Sequence, residues 1–250
     1  VVKSFRFIDE SYTCPSQNMA LDEALIENFQ NDELPILRFY TWDKDAFTLG
    51  RFQNILDIKN FKNFGENFTR RTTGGGLLLH GFDLSYSLII PTSLLTNKSV
   101  KESYEYLCQF LLHFYTNLGF EASFAKETMS DKLAKSAFCQ VGYEPYDIII
   151  KGKKVGGNAQ RRTKKFIYQH GSIPLHVDSR IFSSVSLEEL GRNLHVKEVK
   201  ELLKSSFETT FNTKLLFTTL NDTQLQSFET LHVNKYNTKE WKYESISAKP

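Results

Sequence analysis

Residues 68–91 read FTRRTTGGGLLLHGFDLSYSLIIP. Three consecutive glycines cannot continue a helix or a strand without a large entropic cost, so Gly74, Gly75 and Gly76 belong to a loop. The flanking runs, FTR before it and the apolar LLLHGFDLSYSLIIP after it, are strand-like. A glycine loop that joins strands and opens no helix excludes two phosphate-binding designs. No Gly-Lys-Ser/Thr follows it as in a P-loop, and a GxGxxG string with its helix is absent. Two readings stay open. In one, backbone N–H groups approach a ligand while Arg70 and Arg71 grip a carboxylate or phosphate. In the other, the loop is a tight turn with a solvated arginine pair. His80 is similarly a site residue or a loop histidine bonded to backbone.

Elsewhere the pattern alternates without the regular beat of a parallel sheet. SFRFIDE predicts an opening strand, and ILRFYTWD and AFTLGRF predict two more around a polar turn. NMALDEALIENFQ predicts a helix with Ser16 or Asn18 as its N-cap. VKESYEYLCQFLLHFYTNLGF carries an apolar stripe through Tyr104, Leu107, Leu111, Tyr115 and Leu118, with Gly119 as C-cap and Cys108 in the core. YDIIIKGKKVGG and FIYQHGSIPLHV predict strands around a basic bend, and VKEVKELLKSSFETTF a further amphipathic helix. Residues 219–250 are polar and poor in apolar side chains, which predicts a loosely packed extension. Hairpins dominate, so the expected class is α+β with a mixed, mainly antiparallel central sheet, a smaller second sheet and flanking helices.

Composition narrows the function classes. With 250 residues, 40% of them hydrophobic, the chain can bury a core as one large domain with a small appendage. Its 31 basic and 29 acidic residues nearly balance, which argues against a general nucleic-acid or membrane-surface binder. The start, VVKSFRFIDESYT, has no apolar run of the signal-peptide kind, and no stretch predicts a membrane span. Cys14, Cys108 and Cys139 are too scattered for a disulfide framework, and no CxxC pair offers a metal site. The expected setting is reducing and cytoplasmic.

Three strings in order, RRTTGGGLLLH (70–80), GKKVGGNAQRR (152–162) and QHGSIPL (169–175), resemble the lipoate–protein ligase and octanoyltransferase family, related in fold to biotin protein ligases. NMALDEAL (18–25) and LGRFQN (49–54) are similar to further family elements. The resemblance covers roughly residues 5 to 215, and it implies a catalytic acyl-transfer domain over 1–218 with 219–250 as an extension and no separate accessory domain. It also implies attachment of an octanoyl or lipoyl group to a lysine of a carrier domain, in 2-oxoacid dehydrogenase complexes or the glycine cleavage H protein. The family's lysine falls on Lys154, leaving Lys153 as a solvated neighbour. Substrate contacts fall on Arg71, Thr73, Gly74, Gly75, Gly76, His80, Gly156, Gly157, Ala159, His170 and Gly171. An apolar tunnel lined by Leu77 to Leu79 is expected beneath the loop.

An amine cannot displace a carboxylate at a useful rate, so the acyl group needs activation. Cys139, fifteen positions before Lys154, looks like the acyl-accepting cysteine of the octanoyltransferase branch that keeps a ligase-like sequence. On that reading acyl carrier protein donates the octanoyl group, Cys139 holds it as a thioester, and no cofactor is required. A buried, inert thiol beside Phe138 is the alternative. In the ligase alternative ATP and Mg²⁺ make an acyl-adenylate held by the glycine loop and Arg71. A catalytically inactive acyl- or carrier-binding subunit is a third reading.

Overall fold

The computed structural model describes residues 2–30, 33–129, 144–180 and 184–244. Strands β1 (Ser4–Ile8), β2 (Ile36–Tyr40), β6 (Asp83–Pro91), β10 (Gly157–Arg162), β11 (Phe166–Pro174) and β12 (Lys214–Phe217) form a six-stranded sheet in the order β10-β11-β6-β2-β1-β12. β12 and β2 run parallel to β1, and the pairs β2–β6, β6–β11 and β11–β10 are antiparallel. The expected mixed, mainly antiparallel sheet is therefore present. Two three-stranded sheets accompany it, where sequence suggested one. The first is β3 (Phe47–Leu49) between β4 (Phe68–Arg70) and β5 (Leu78–Leu79); the second joins β7 (Ala122–Phe124), β8 (Ile148–Ile150) and β9 (Lys153–Lys154).

Alternation along the strands splits the large sheet into two chemically different faces. Leu84, Tyr86, Leu88 and Ile90 of β6, with Leu37 and Phe39 of β2, pack under α2 (Val100–Asn117) and α4 (Val196–Phe211). The opposite face of β6 carries Asp83, Ser85 and Ser87. It lies toward α1 (Pro15–Glu27), whose Asp22 takes hydrogen bonds from Ser87, Tyr40, Tyr168 and Arg38. This polar stripe is the floor of the site described below.

α2 is the helix sequence predicts, closed at its start by a Ser99–Glu102 capping box and at its end by Gly119 at φ 85°. Cys108 is fully buried, and burial pushes its thiol well up. α1 begins earlier than predicted, because Pro15 occupies its first turn, where the missing N–H costs nothing. Asn18, expected as a cap, instead accepts from Arg38 and donates to the Thr41 carbonyl. Ser16 lies inside the helix as well.

Residues 219–244 differ from the loosely packed extension that composition suggests. α5 (Asp222–Leu231), a π-helical turn at His232–Tyr236 and α6 (Lys239–Tyr243) lie on α1 and β4, and Phe228 and Tyr236 enter the core. Few apolar residues suffice here because they fall at positions facing α1. Among the described residues no helix is long and apolar enough to cross a membrane. The short α3 (Ala125–Thr128) follows β7.

Candidate active site

The glycine loop bridges β4 and β5 and is organised from within by Arg71. Its Nη1 donates to the carbonyl and hydroxyl oxygens of Thr48 at 2.9 and 2.8 Å, and Nη2 to the carbonyls of Gly74 and Gly76 at 3.3 and 2.8 Å. Arg71 is only 2% exposed. The guanidinium thus folds the loop around itself, in place of the solvated pair or the ligand-facing fork that sequence left open. Gly75 sits at φ 100°, which glycine alone adopts at no cost. Gly50 must be glycine for a different reason, since a Cβ there would lie 1.8 Å from the Gly75 oxygen.

His80 hangs below this loop on a polar chain. Its Nε2 lies 2.9 Å from Thr48 Oγ1, and its Nδ1 lies 3.0 Å from Asp83 Oδ2. Thr48 Oγ1 already accepts from Arg71, so its own proton points to Nε2 and the His80 Nδ1–H donates to Asp83. Asp83 Oδ2 also accepts from Ser172 at 2.7 Å and Ser85 at 3.3 Å. The imidazole stacks on Trp42 with centroids 3.9 Å apart, and the Trp42 Nε1–H donates to Ser85. Burial lowers the His80 pKa, with Asp83 acting against it, so the ring is neutral near pH 7.

His170 faces the same cleft from β11. Its Nε2 is 2.7 Å from Thr73 Oγ1, and its ring stacks on Tyr168, whose hydroxyl donates to Asp22. Burial, then the positive charge of Arg71, pushes His170 well below the ordinary histidine value. Opposite His170 and Ser172, the β10 register places Ala159 and Gly157. These two small residues, with Trp42, Arg71, Leu78 and His80 across from them, wall a cleft of about 10 Å³, room for about one water molecule.

The glycines predicted to contact substrate have distinct positions. Among the described residues a Cβ on Gly157 or Gly74 meets nothing within 4 Å, so both leave backbone open to a ligand. Gly156, at φ 71°, would drive a Cβ to 2.0 Å from the Ser172 oxygen, and Gly171 would drive one to 2.0 Å from Asn158 Oδ1. Gly156 lets backbone pass closely, and Gly171 makes room for the Asn158 and Tyr86 side chains. The expected Leu77–Leu79 tunnel is not formed as such, because Leu77 and Leu79 pack with Phe47, Leu49 and Phe68 and only Leu78 reaches the cleft. A larger apolar cavity, about 110 Å³, lies on the other face of the large sheet between Phe5, Ile90, Leu107 and Phe207, apart from these polar groups.

Lys154 comes from a tight β8–β9 hairpin whose turn residues, Lys151 and Gly152, both have positive φ (50° and 72°). Two such residues match the twist of the strands and set Lys154 opposite Ile149. Lys153 is exposed, whereas Lys154 is 3% exposed with Nζ 2.6 Å from Asp147 Oδ2. Burial raises the Asp147 pKa, with the Lys154 charge opposing it. Cys139 lies outside the described residues. Among those described, no three His, Cys, Asp or Glu side chains gather as a metal-ligand set.

Sequence reasoning missed Asp147, Asp83, Trp42 and Thr48. Asp147 alone carries a local signal, a carboxylate immediately before the strand that pairs with the lysine's own.

Residues 14–209 match the profile of the lipoyl protein ligase A/B catalytic domain. The chain is 35% identical to octanoyltransferase LipM of Anoxybacillus flavithermus and 33% identical to that of Bacillus subtilis, each time over 96% of this chain and 98% of the relative. Among solved structures, lipoate-protein ligase A bound with ATP superposes with a TM-score of 0.79 at 22% identity, covering 95% of this chain and 98% of that one. The bi-partite lipoate protein ligase of Thermoplasma acidophilum, described with its E2 lipoyl domain, gives 0.81 at 21% identity, with 99% of each chain covered. At those identities the structural likeness speaks to the fold.

Proposed function

The chain belongs to the lipoyl protein ligase A/B catalytic-domain family, and on that premise we propose that it transfers an octanoyl group from acyl carrier protein to a lysine of a lipoyl domain through a thioester on Cys139. The observation that carries this reading is the similarity to LipM octanoyltransferases at 33–35% identity along nearly the whole of both chains.

The chemistry divides into two balanced steps. The Cys139 thiolate adds to the thioester carbonyl, and the phosphopantetheine thiolate leaves and takes up a proton. The lysine amine of the lipoyl domain then adds to the new thioester, an amide forms, and Cys139 departs as thiolate while the nitrogen loses its proton. Lys154, fixed by Asp147, supplies positive charge for the carbonyl oxygen as it becomes anionic. Backbone at Gly74 and Gly157 contacts the acyl group, and neutral His80 and His170 shape the cleft without moving protons.

No cofactor takes part in this route; ATP and Mg²⁺ belong to the ligase alternative. The internal use of Arg71 on loop carbonyls supports the transferase, since an adenylate phosphate would have to draw it away from Gly74 and Gly76. Intact mass spectrometry after incubation with octanoyl-acyl carrier protein tests the reading. The expected result is one octanoyl increment, mapped to Cys139, that is chased onto an added lipoyl domain. Absence of the increment together with AMP release from ATP and lipoate would establish the adenylate route instead.

A further inference from the structure

Residues 236–243 lie beyond the matched catalytic profile, which ends at residue 209, yet they attach to four points just before the glycine loop. The Tyr243 hydroxyl donates to the Glu66 carboxylate, and its ring meets the edge of Phe68 with centroids 5.3 Å apart. The Tyr236 carbonyl accepts from Thr69 Oγ1 at 3.0 Å, and the Arg70 carbonyl accepts from Trp241 Nε1 at 3.2 Å. The strand so held, β4, is a three-residue strand that among the described residues pairs with β3 alone. A strand that short has little stability of its own.

Arg70 carries the contact onward. Its side chain is fully buried, and Nη1 donates to the carbonyls of Gly50 and Gln53 at 3.1 and 2.6 Å. Among the described residues Nε and Nη2 have no hydrogen-bond partner, an expense buried guanidinium groups rarely carry. Gly50 touches Gly75, and the next residue, Arg51, donates its N–H to the Thr73 carbonyl at 2.8 Å. Trp241, Arg70, Gly50 and the glycine loop are therefore one continuous chain of contacts. Lys235 fixes the far end, 2.5 Å from Glu23 of α1 and 4.2 Å above the Trp241 ring.

We infer that Trp241 is a positioning residue, holding through Arg70 the glycine loop on which acyl binding depends. The inference rests on the acyl-transfer reading for its kinetic consequence, but the mechanical link does not. Trp241→Phe keeps an aromatic ring at this position but removes the Nε1–H together with part of the ring surface; Thr69→Val is near-isosteric and removes the second attachment alone. Steady-state octanoyl transfer from octanoyl-acyl carrier protein to a lipoyl domain, and hydrogen exchange of the peptide spanning Gly74 to Leu79, are measured for each. Loosening a loop that contacts the acyl group before and during reaction removes uniform binding, so KM for the donor rises about fivefold while kcat stays within about twofold. Exchange of the loop peptide speeds up. Unchanged KM with unchanged loop exchange, or a fall in kcat at constant KM, overturns the inference. A wild-type protein that transfers no octanoyl group, but whose loop exchange still quickens on Trp241→Phe, overturns the transferase reading and leaves the link standing.

Discussion

Asp147 and Lys154 meet across the β8–β9 hairpin with Nζ 2.6 Å from Oδ2, both side chains nearly excluded from solvent. Replacing Asp147 by Asn keeps the shape and removes the countercharge. The expected outcome is at least a tenfold loss of octanoyl transfer with little loss of stability, because burial already favours the uncharged carboxyl at this position. Urea unfolding and steady-state kinetics check both.

The same pair sets a pH dependence. Burial raises the Asp147 pKa above its unfolded value, so the folded state binds this proton first as the pH falls. The contribution to stability is complete below the unfolded pKa and disappears as the pH rises through the folded one. Activity responds in the opposite direction, because protonation of Asp147 dissolves the ion pair. An acid limb in the rate profile, centred above the usual carboxylate range and absent from Asp147→Asn, is expected. A wild-type profile with the limb at an ordinary carboxylate pKa would refute it.

His170 works with the other sign. Its folded pKa lies well below the ordinary histidine value of about 6.5, so its stabilising effect is full above that value and drains away as the pH falls toward the folded pKa. Each buried neutral histidine adds up to about 1.4 kcal/mol per pH unit to the slope in that window. His170→Asn keeps a polar partner for Thr73 and loses the titration. Its urea midpoint is expected to vary less than wild type between about pH 6.5 and 5; parallel curves would show that His170 is not held neutral.

The parts of this molecule legible in the sequence are those whose signal is local. Alternation along β6 and the stripe of α2 place the core, and the glycine string places the loop. The parts not legible depend on residues that meet only after folding. Thr48, Asp83 and Trp42 complete the surroundings of His80 from three different segments, and nothing in the string GGGLLLH points to them. Arg71 shows the same limit. Beside a glycine loop it reads as an anion ligand, yet the carbonyls that receive it become visible only once the loop closes. The polar 219–244 segment misleads because few residues decide its packing: Phe228 and Tyr236 are buried while most of their neighbours face solvent.

Glycine positions separate ligand contact from backbone crossing. Gly157→Ala adds a methyl where no described residue stands within 4 Å, so folding is expected to stay within about 0.5 kcal/mol of wild type while transfer falls at least tenfold as the group enters the cleft. Gly171→Ala forces a Cβ to 2.0 Å from Asn158 Oδ1 and 2.6 Å from Tyr86, an overpacking cost of about 2 kcal/mol. Thermal unfolding and kinetics on both variants should split cleanly. Equal destabilisation of the two would place Gly157 with the crossing glycines.

Arg71→Lys keeps the charge and loses the fork. A lysine reaches either Thr48 or the Gly74 and Gly76 carbonyls, not both, because an ammonium is one point and the guanidinium spans two sites. Thr48 would then lose the donor that commits its hydroxyl proton to His80, and the loop would lose its internal tie. The expected outcome is a loss of about 2 kcal/mol in stability and a drop in transfer of about a hundredfold, larger than folding alone accounts for. If Arg71 served only as a diffuse positive charge near the acyl site, lysine would serve as well, and near wild-type kinetics for Arg71→Lys would establish that.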